Sequence, residues 1–119
     1  LLGAEGIQMG TRFLASKECI ASEAYKKKIV EATMDDIEVI LWNTGHPIRV
    51  IKNNWSEKIK KIEDKIFPEE IRAEKIAGSL GGQNVDDIPL LAGLSAAGIS
   101  EIKTCKEIIE EIVAEITNN

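Results

Sequence analysis

The run Gly3-Ala4-Glu5-Gly6-Ile7-Gln8-Met9-Gly10-Thr11-Arg12-Phe13 constrains this chain more than any other stretch. Residues 5–9 read as a short buried strand that stops at a glycine beside a hydroxyl, and a helix start follows. At position 10 the missing Cβ lets the main chain approach a ligand. Thr11 adds a hydroxyl next to N–H groups that the start of a helix leaves without partners. Each such N–H can give a phosphate a charge-assisted hydrogen bond of about 1.5–3 kcal/mol without help from any particular side chain. An ordinary strand-to-helix turn uses the same residue types, so both readings stand for Gly10 and Thr11. Arg12 could pair with a phosphate or stabilise the loop.

A chain of 119 residues fits one domain, and 44% apolar with 29% charged residues is the balance of a soluble globular protein. Only Phe13, Tyr25, Trp42, Trp55 and Phe67 are aromatic, so the core must be aliphatic, chiefly isoleucine. The net charge of −5 is spread along the chain with no basic stripe, which leaves nucleic-acid binding without support. The densest cationic run, Lys26-Lys27-Lys28, points in three directions on a helix and reads as a solvated face. The longest uncharged stretch, residues 88–100, is shorter than the roughly 20 residues that cross a bilayer. No signal peptide is visible, and a cytoplasmic protein is the simplest expectation. Cys19 and Cys105 belong to no metal-ligand spacing, and neither HExxH nor DxDxDG occurs, so no metal site is expected. The chain lacks an initiator Met, and Leu1-Leu2-Gly3-Ala4 resembles the last turn of a helix running into a strand, which suggests that it has been cut.

Ser22 is expected to start a helix with Tyr25, Ile29, Val30 and Ala32 at helical spacing, ending at Met34-Asp35-Asp36. The β-branched runs 37–42 and 48–51, joined by Asn43-Thr44-Gly45-His46-Pro47, predict a hairpin or a pair of extended arms. Asn54 with Glu57 forms a capping-box-like start, and Trp55, Ile59, Ile62 and Ile66 share one face of the helix that follows. Pro68 is expected to open a further helix reaching about Leu80. Residues 81–100 show no steady period and read as loop and short turns. Thr104 with Glu107 forms a second capping box for a helix over 105–117, whose Ile108, Ile109, Ile112, Val113 and Ile116 make one stripe.

Few groups could converge on a catalytic centre. The single histidine, His46, sits in a Gly-His-Pro turn and is either a turn residue or a ligand or substrate contact. Gly78, Gly81 and Gly82 lack the preceding strand of a dinucleotide fingerprint and read as a helix terminus.

Three stretches carry a resemblance: Gly6-Ile7-Gln8-Met9-Gly10-Thr11-Arg12-Phe13-Leu14-Ala15, then Ala24-Tyr25-Lys26, then Gly45-His46-Pro47-Ile48-Arg49-Val50. They resemble the C-terminal third of the flavin-dependent nitronate monooxygenases, formerly 2-nitropropane dioxygenases, and of the related FMN-dependent enoyl-acyl-carrier-protein reductases. Ala92-Gly93-Leu94-Ser95-Ala96-Ala97-Gly98-Ile99 and the acidic, Ile-rich end are similar to the end of those proteins.

The resemblance implies an α/β fold: a C-terminal fragment of a flavin-binding TIM barrel, mostly helical in this chain with a few short strands. Residues 1–21 would be the last barrel strand and its phosphate loop, 22–80 a helical and extended insert on the substrate side, and 81–119 a loop and the C-terminal barrel helix. Gln8, Met9, Gly10 and Thr11 would end the eighth strand as the cofactor-binding residues, with Gly10 and Thr11 on the FMN phosphate. His46 would be at most a substrate-side residue, because the histidine usually proposed as catalytic lies in a part of the family pattern that has no counterpart here. No catalytic residue is therefore expected in this chain. Two departures stand out. Leu94 replaces the family's usual Gln, and the stretch 77–89 is shortened.

The leading functional reading is thus a segment of an FMN-dependent oxidoreductase of the nitronate monooxygenase type, with the NAD(P)H-dependent enoyl reductase as the alternative. The substrate would be a small molecule or an acyl thioester, and the chain's partner the remainder of the barrel or another copy of itself, not nucleic acid or a membrane. A reading from another class is a non-catalytic helical interaction module. Alone, the 119 residues are expected to bind FMN weakly or not at all and to show no turnover. Their first ~15 residues are expected to be poorly packed or paired with another copy.

Overall fold

The computed structural model describes residues 2–65, 69–70 and 84–118. Among the described residues the labels α1 (Thr11–Leu14), α2 (Glu23–Glu31), α3 (Asn54–Ile62) and α4 (Cys105–Thr117) mark the bounded α-helices. Strands β1 (Ile37–Ile40) and β2 (Ile48–Ile51) pair antiparallel, with Ile37 opposite Ile51 and Ile40 opposite Ile48. The helix expected from Pro68 to about Leu80 lies almost wholly outside the described residues, as do Ile66 and the glycines at 78, 81 and 82.

The helix starts follow from local chemistry. Ser22 caps α2, its hydroxyl accepting from the Tyr25 N–H at 3.2 Å. Thr104 caps α4 in a full box, in which Glu107 returns a carboxylate to the Thr104 N–H at 2.7 Å. In α3 the cap is Asn53 rather than Asn54. Asn53 accepts from the Ser56 N–H at 2.9 Å and Ser56 answers in the box position, so Glu57 takes no part in it. Asn53 wins because its amide also donates to the carbonyls of Val85 and Ile88, at 3.0 and 2.7 Å.

The hairpin turn departs from an ordinary one. Leu41 is buried with φ +65°, a left-handed conformation that a γ-branched residue adopts only under constraint. Thr44 donates to its carbonyl at 2.8 Å, and Gly45 supplies the second positive φ, +75°.

Among the described residues two apolar clusters make the core. One gathers Tyr25 and Ile29 of α2 with Ile37, Ile51, Leu90, Ala96 and Ile99. The other sets Trp55 and Ile59 of α3 under the hairpin residues Ile40, Leu41, Ile48 and Val50. Isoleucine is the commonest large side chain in both, with alanine filling much of the first, as the scarcity of aromatic residues requires.

Three further expectations fail. Residues 5–9 form no strand: among the described residues the one sheet is β1–β2, nothing pairs with 5–9, and residues 2–8 are exposed. An extended segment without a neighbour has nowhere to place its backbone hydrogen bonds except water. Lys26 is not on a solvated face. It is 1% exposed, its ammonium donating at 3.4 Å both to the Lys17 carbonyl and to Glu23. The α4 stripe is buried only at Ile108, while Ile109, Val113 and Ile116 are 51%, 55% and 67% exposed. The loop and short turns expected over 81–100 are found in its described part, 84–100, with one isolated bridge to β2 at Leu91. Ile51 donates to Leu90 at 2.8 Å and Ala92 donates to Arg49 at 3.2 Å, so residues 90–92 run beside β2 on the side away from β1.

Candidate functional site

The pairing of residues 90–92 with β2 carries Gly93 to the start of α1. There the Gly93 N–H donates to Thr11 Oγ1 at 2.9 Å, a bond between residues 82 apart in sequence. Around it lies an open groove of about 440 Å³ lined by Gly10, Thr11, Leu14, Arg49, Leu91, Ala92 and Gly93. Its walls are mostly apolar. Tyr25 supports the far wall from within the core, its phenol donating to the Leu91 carbonyl at 2.8 Å. Burial pushes the Tyr25 phenol above its usual range, so it stays a neutral donor.

Gly10 and Thr11 present what an anion needs. The carbonyls of both residues are taken by the N–H groups of Leu14 and Ala15, at 3.0 and 3.2 Å, which closes the single turn of α1. No described residue accepts from the N–H groups of Gly10, Thr11 or Arg12. A Cβ built on Gly10 would meet no described atom within 4 Å, so the space beside it is open. Thr11 Oγ1 accepts from Gly93 and keeps its own proton to donate.

The remaining sequence candidates lie elsewhere. Gln8 is exposed, Met9 is half-buried, and neither lines the groove. Arg12 turns away from it and donates to the Glu101 carbonyl at 3.0 Å, which is the loop-stabilising alternative. His46 is exposed in the hairpin turn, its N–H donating to Thr44 Oγ1 at 3.2 Å, and it does not line the groove. Leu94, at the family's usual Gln, is exposed and outside the groove lining. No group of His, Cys, Asp or Glu among the described residues could hold a metal ion.

Arg49 and Gly93 are the groove-lining residues that sequence reasoning left without a role. Both stand in quoted motifs, and the period-two alternation of β2, with Ile48 and Val50 buried, already sends Arg49 to the opposite face. What no local pattern could supply is that residues 10, 49 and 93 share one groove.

The base of the site is tied to α4. The Lys17 backbone N–H donates to the Lys103 carbonyl at 2.9 Å, and the Glu18 carboxylate accepts from the Cys105 N–H at 2.9 Å at the first turn of α4. That N–H holds the Glu18 carboxyl below its usual range.

The sequence matches the nitronate monooxygenase family over residues 1–115. It is similar to a probable nitronate monooxygenase of Bacillus subtilis, 29% identical over 119 residues, which make 96% of this chain and 34% of that protein. A probable nitronate monooxygenase of Staphylococcus saprophyticus is 44% identical over 66 residues, 56% of this chain and 19% of that one. The structure of FabK from Thermotoga maritima superposes with a TM-score of 0.86 at 37% identity, covering 98% of this chain and 38% of that chain. The chain therefore spans well under half the length of each of these relatives. No helix among the described residues is long and apolar enough to cross a membrane.

Proposed function

The chain belongs to the nitronate monooxygenase family, and we propose that it forms the C-terminal third of an FMN-dependent oxidoreductase built on a TIM barrel. Gly10 and Thr11 hold the cofactor's phosphate. The observation that carries this reading is the Thr11–Gly93 hydrogen bond, which fixes a turn of acceptor-free N–H groups at one end of an apolar groove. The residues present fit a phosphate monoester: N–H donors at 10–12, a hydroxyl proton on Thr11, open space at Gly10 and no acidic residue among the described lining residues. Bound there, the flavin would supply the redox chemistry through its ring system. This chain's own contribution is to hold the anionic tail, keep the groove wall rigid through Tyr25 and Leu91, and anchor the loop through Arg12.

The reaction class that the named relatives favour is oxidation of a nitronate by oxygen. A second reading, an enoyl-acyl-carrier-protein reductase using NAD(P)H, is favoured by the turn Gly45-His46-Pro47-Ile48-Arg49 and by the superposition on FabK. In either case catalytic groups come from outside these residues. The test is to graft residues 1–119 in place of the matching segment of the Thermotoga protein. The graft's bound FMN is then measured, together with the rate of flavin reduction by NAD(P)H and of nitronate-driven oxygen consumption. A yellow graft supports the FMN-site reading that both reactions share. A donor preference shifted from that of the Thermotoga parent toward nitronate-driven oxygen consumption favours the first reaction, and an unshifted preference for NAD(P)H favours the second. A folded, colourless graft refutes both.

A further inference from the structure

Helix α4 is 13 residues long, and Ile108 is its one buried side chain among the described residues. Neither described apolar cluster includes a residue of α4. A helix of that length is marginal in water by itself, so what fastens it to the body decides whether it stays formed. Those fastenings pass through carboxylates. Glu18 accepts from the Cys105 N–H at 2.9 Å, and Glu111 accepts from the Lys103 ammonium at 2.7 and 2.9 Å. Lys103 also reaches Glu101 at 3.1 Å, and its backbone carbonyl accepts from the Lys17 N–H. Glu107 closes the cap on Thr104 at 2.7 Å. Arg12, Glu101, Lys103 and Glu111 line a pocket of about 130 Å³ at this joint. The other charged residues of α4 are Glu115, in its last turn, and Lys106 and Glu110, which pair with each other along the helix at 3.7 Å.

We propose that α4 is an acid-released arm: when Glu18, Glu107 and Glu111 take up protons, α4 detaches and loses its helix as a unit while the two apolar clusters stay packed. A neutral carboxyl accepts from an N–H more weakly and offers the Lys103 ammonium no opposite charge. The N–H groups of Cys105 and Thr104 hold the Glu18 and Glu107 carboxyls below the ordinary glutamate value of 4.5. The latch is therefore complete at neutral pH and fails as the pH falls below that value. Release also frees the stretch 101–103 that anchors Arg12 and Lys17, so it loosens the far side of α1 as well. The inference does not depend on which ligand the groove takes.

The experiment is ¹⁵N NMR on the 119-residue chain carried from about pH 7 to about pH 3.5. The amides of residues 109–116 are expected to move to coil positions with a midpoint below about pH 4.5, while those of Ile29, Ile51 and Trp55 keep theirs. Glu18→Gln combined with Glu111→Gln removes both charges at neutral pH and is expected to speed hydrogen exchange at Ile112 and Val113 at least tenfold there. Glu110→Gln, whose carboxylate pairs only along the helix, is expected to leave that exchange within about twofold. The core amides in the same spectra show that each variant is folded. Loss of α4 and core amides at a single midpoint overturns the proposal, because the arm then has no independence. An α4 that stays helical at about pH 3.5 overturns it too, since Ile108 then holds the helix without the carboxylates. A Glu110→Gln variant that acts as strongly as the double variant shows that helix charge, not the latch, is being read, and also overturns it.

Discussion

Thr11→Val keeps the shape of the side chain at the start of α1 and deletes the oxygen that Gly93 N–H reaches at 2.9 Å. The donor left behind is part-buried, so its loss falls at the lower end of the 1–3 kcal/mol typical of an unsatisfied buried group, about 1–1.5 kcal/mol, because the groove is open to water. For 119 residues an unfolding entropy of about 2.1 cal/mol/K per residue gives about 250 cal/mol/K, so each kcal/mol moves Tm by about 4 °C. Thr11→Val is therefore expected to lower Tm by about 4–6 °C in a calorimetric or circular-dichroism melt at pH 7. Thr11→Ser, which retains the oxygen, is expected to stay within about 2 °C of the parent. Hydrogen exchange at the Gly93 amide should quicken in the Val variant alone. A Val variant that melts with the parent and protects Gly93 equally would refute the claim that this bond joins the two sides of the groove.

Three further outcomes follow from the packing and the charges. Ile108→Ala, at the one buried position of the α4 stripe, is expected to cost about 3 kcal/mol and lower Tm by about 12 °C. Ile109→Ala, half exposed, should stay within about 0.5 kcal/mol, and thermal melts of the pair check the contrast. The carboxyls of Glu18, Asp36 and Glu107 are held below their usual range by the N–H groups of Cys105, Thr33 and Thr104 respectively. A lowered folded-state pKa means that the unfolded chain binds protons first. The stabilisation is thus complete above the ordinary values of 4.5 for Glu and 3.8 for Asp and is lost as pH falls below them. Tm should be level from pH 6 to 7 and fall below about pH 4.5, with a shallower fall in Glu107→Gln. Lys26→Met replaces a buried ammonium whose two contacts are long and is expected to change stability by less than about 1 kcal/mol, whereas Lys26→Ala should cost about 2 kcal/mol by denaturant titration.

What could be read from the sequence was local. Ser22 and the pair Thr104–Glu107 declare their helices because a cap and its partner lie within one turn, and the hairpin declares itself through β-branched runs on either side of Gly45. Asn53 displaces Asn54 as a cap only because Asn53 also reaches the carbonyls at 85 and 88, more than thirty residues away. Lys26 follows the core residue Tyr25 on α2, and no pattern in three consecutive lysines says which of them the neighbouring chain will cover. Periodicity gave the apolar stripe of α4 correctly as a pattern. It could not say that only Ile108 meets an inward neighbour among these residues. The segment 5–9 failed as a strand for the same reason: alternation describes a face, and pairing needs a second edge. In the groove, Gly10 and Thr11 stand out in the sequence because their donor groups lie on adjacent residues. Arg49 and Gly93 do not, because residues 90–92 must first run along β2.

The claim on which the functional account turns is that the turn at Gly10 and Thr11 grips a flavin's phosphate. The most direct measurement is the position of that phosphate in crystals of the Thermotoga graft grown with FMN. The account expects the phosphate oxygens within hydrogen-bonding distance of the Gly10 and Thr11 N–H groups. An ordered FMN whose phosphate lies elsewhere, with those two N–H groups bonded to protein or water, would contradict it.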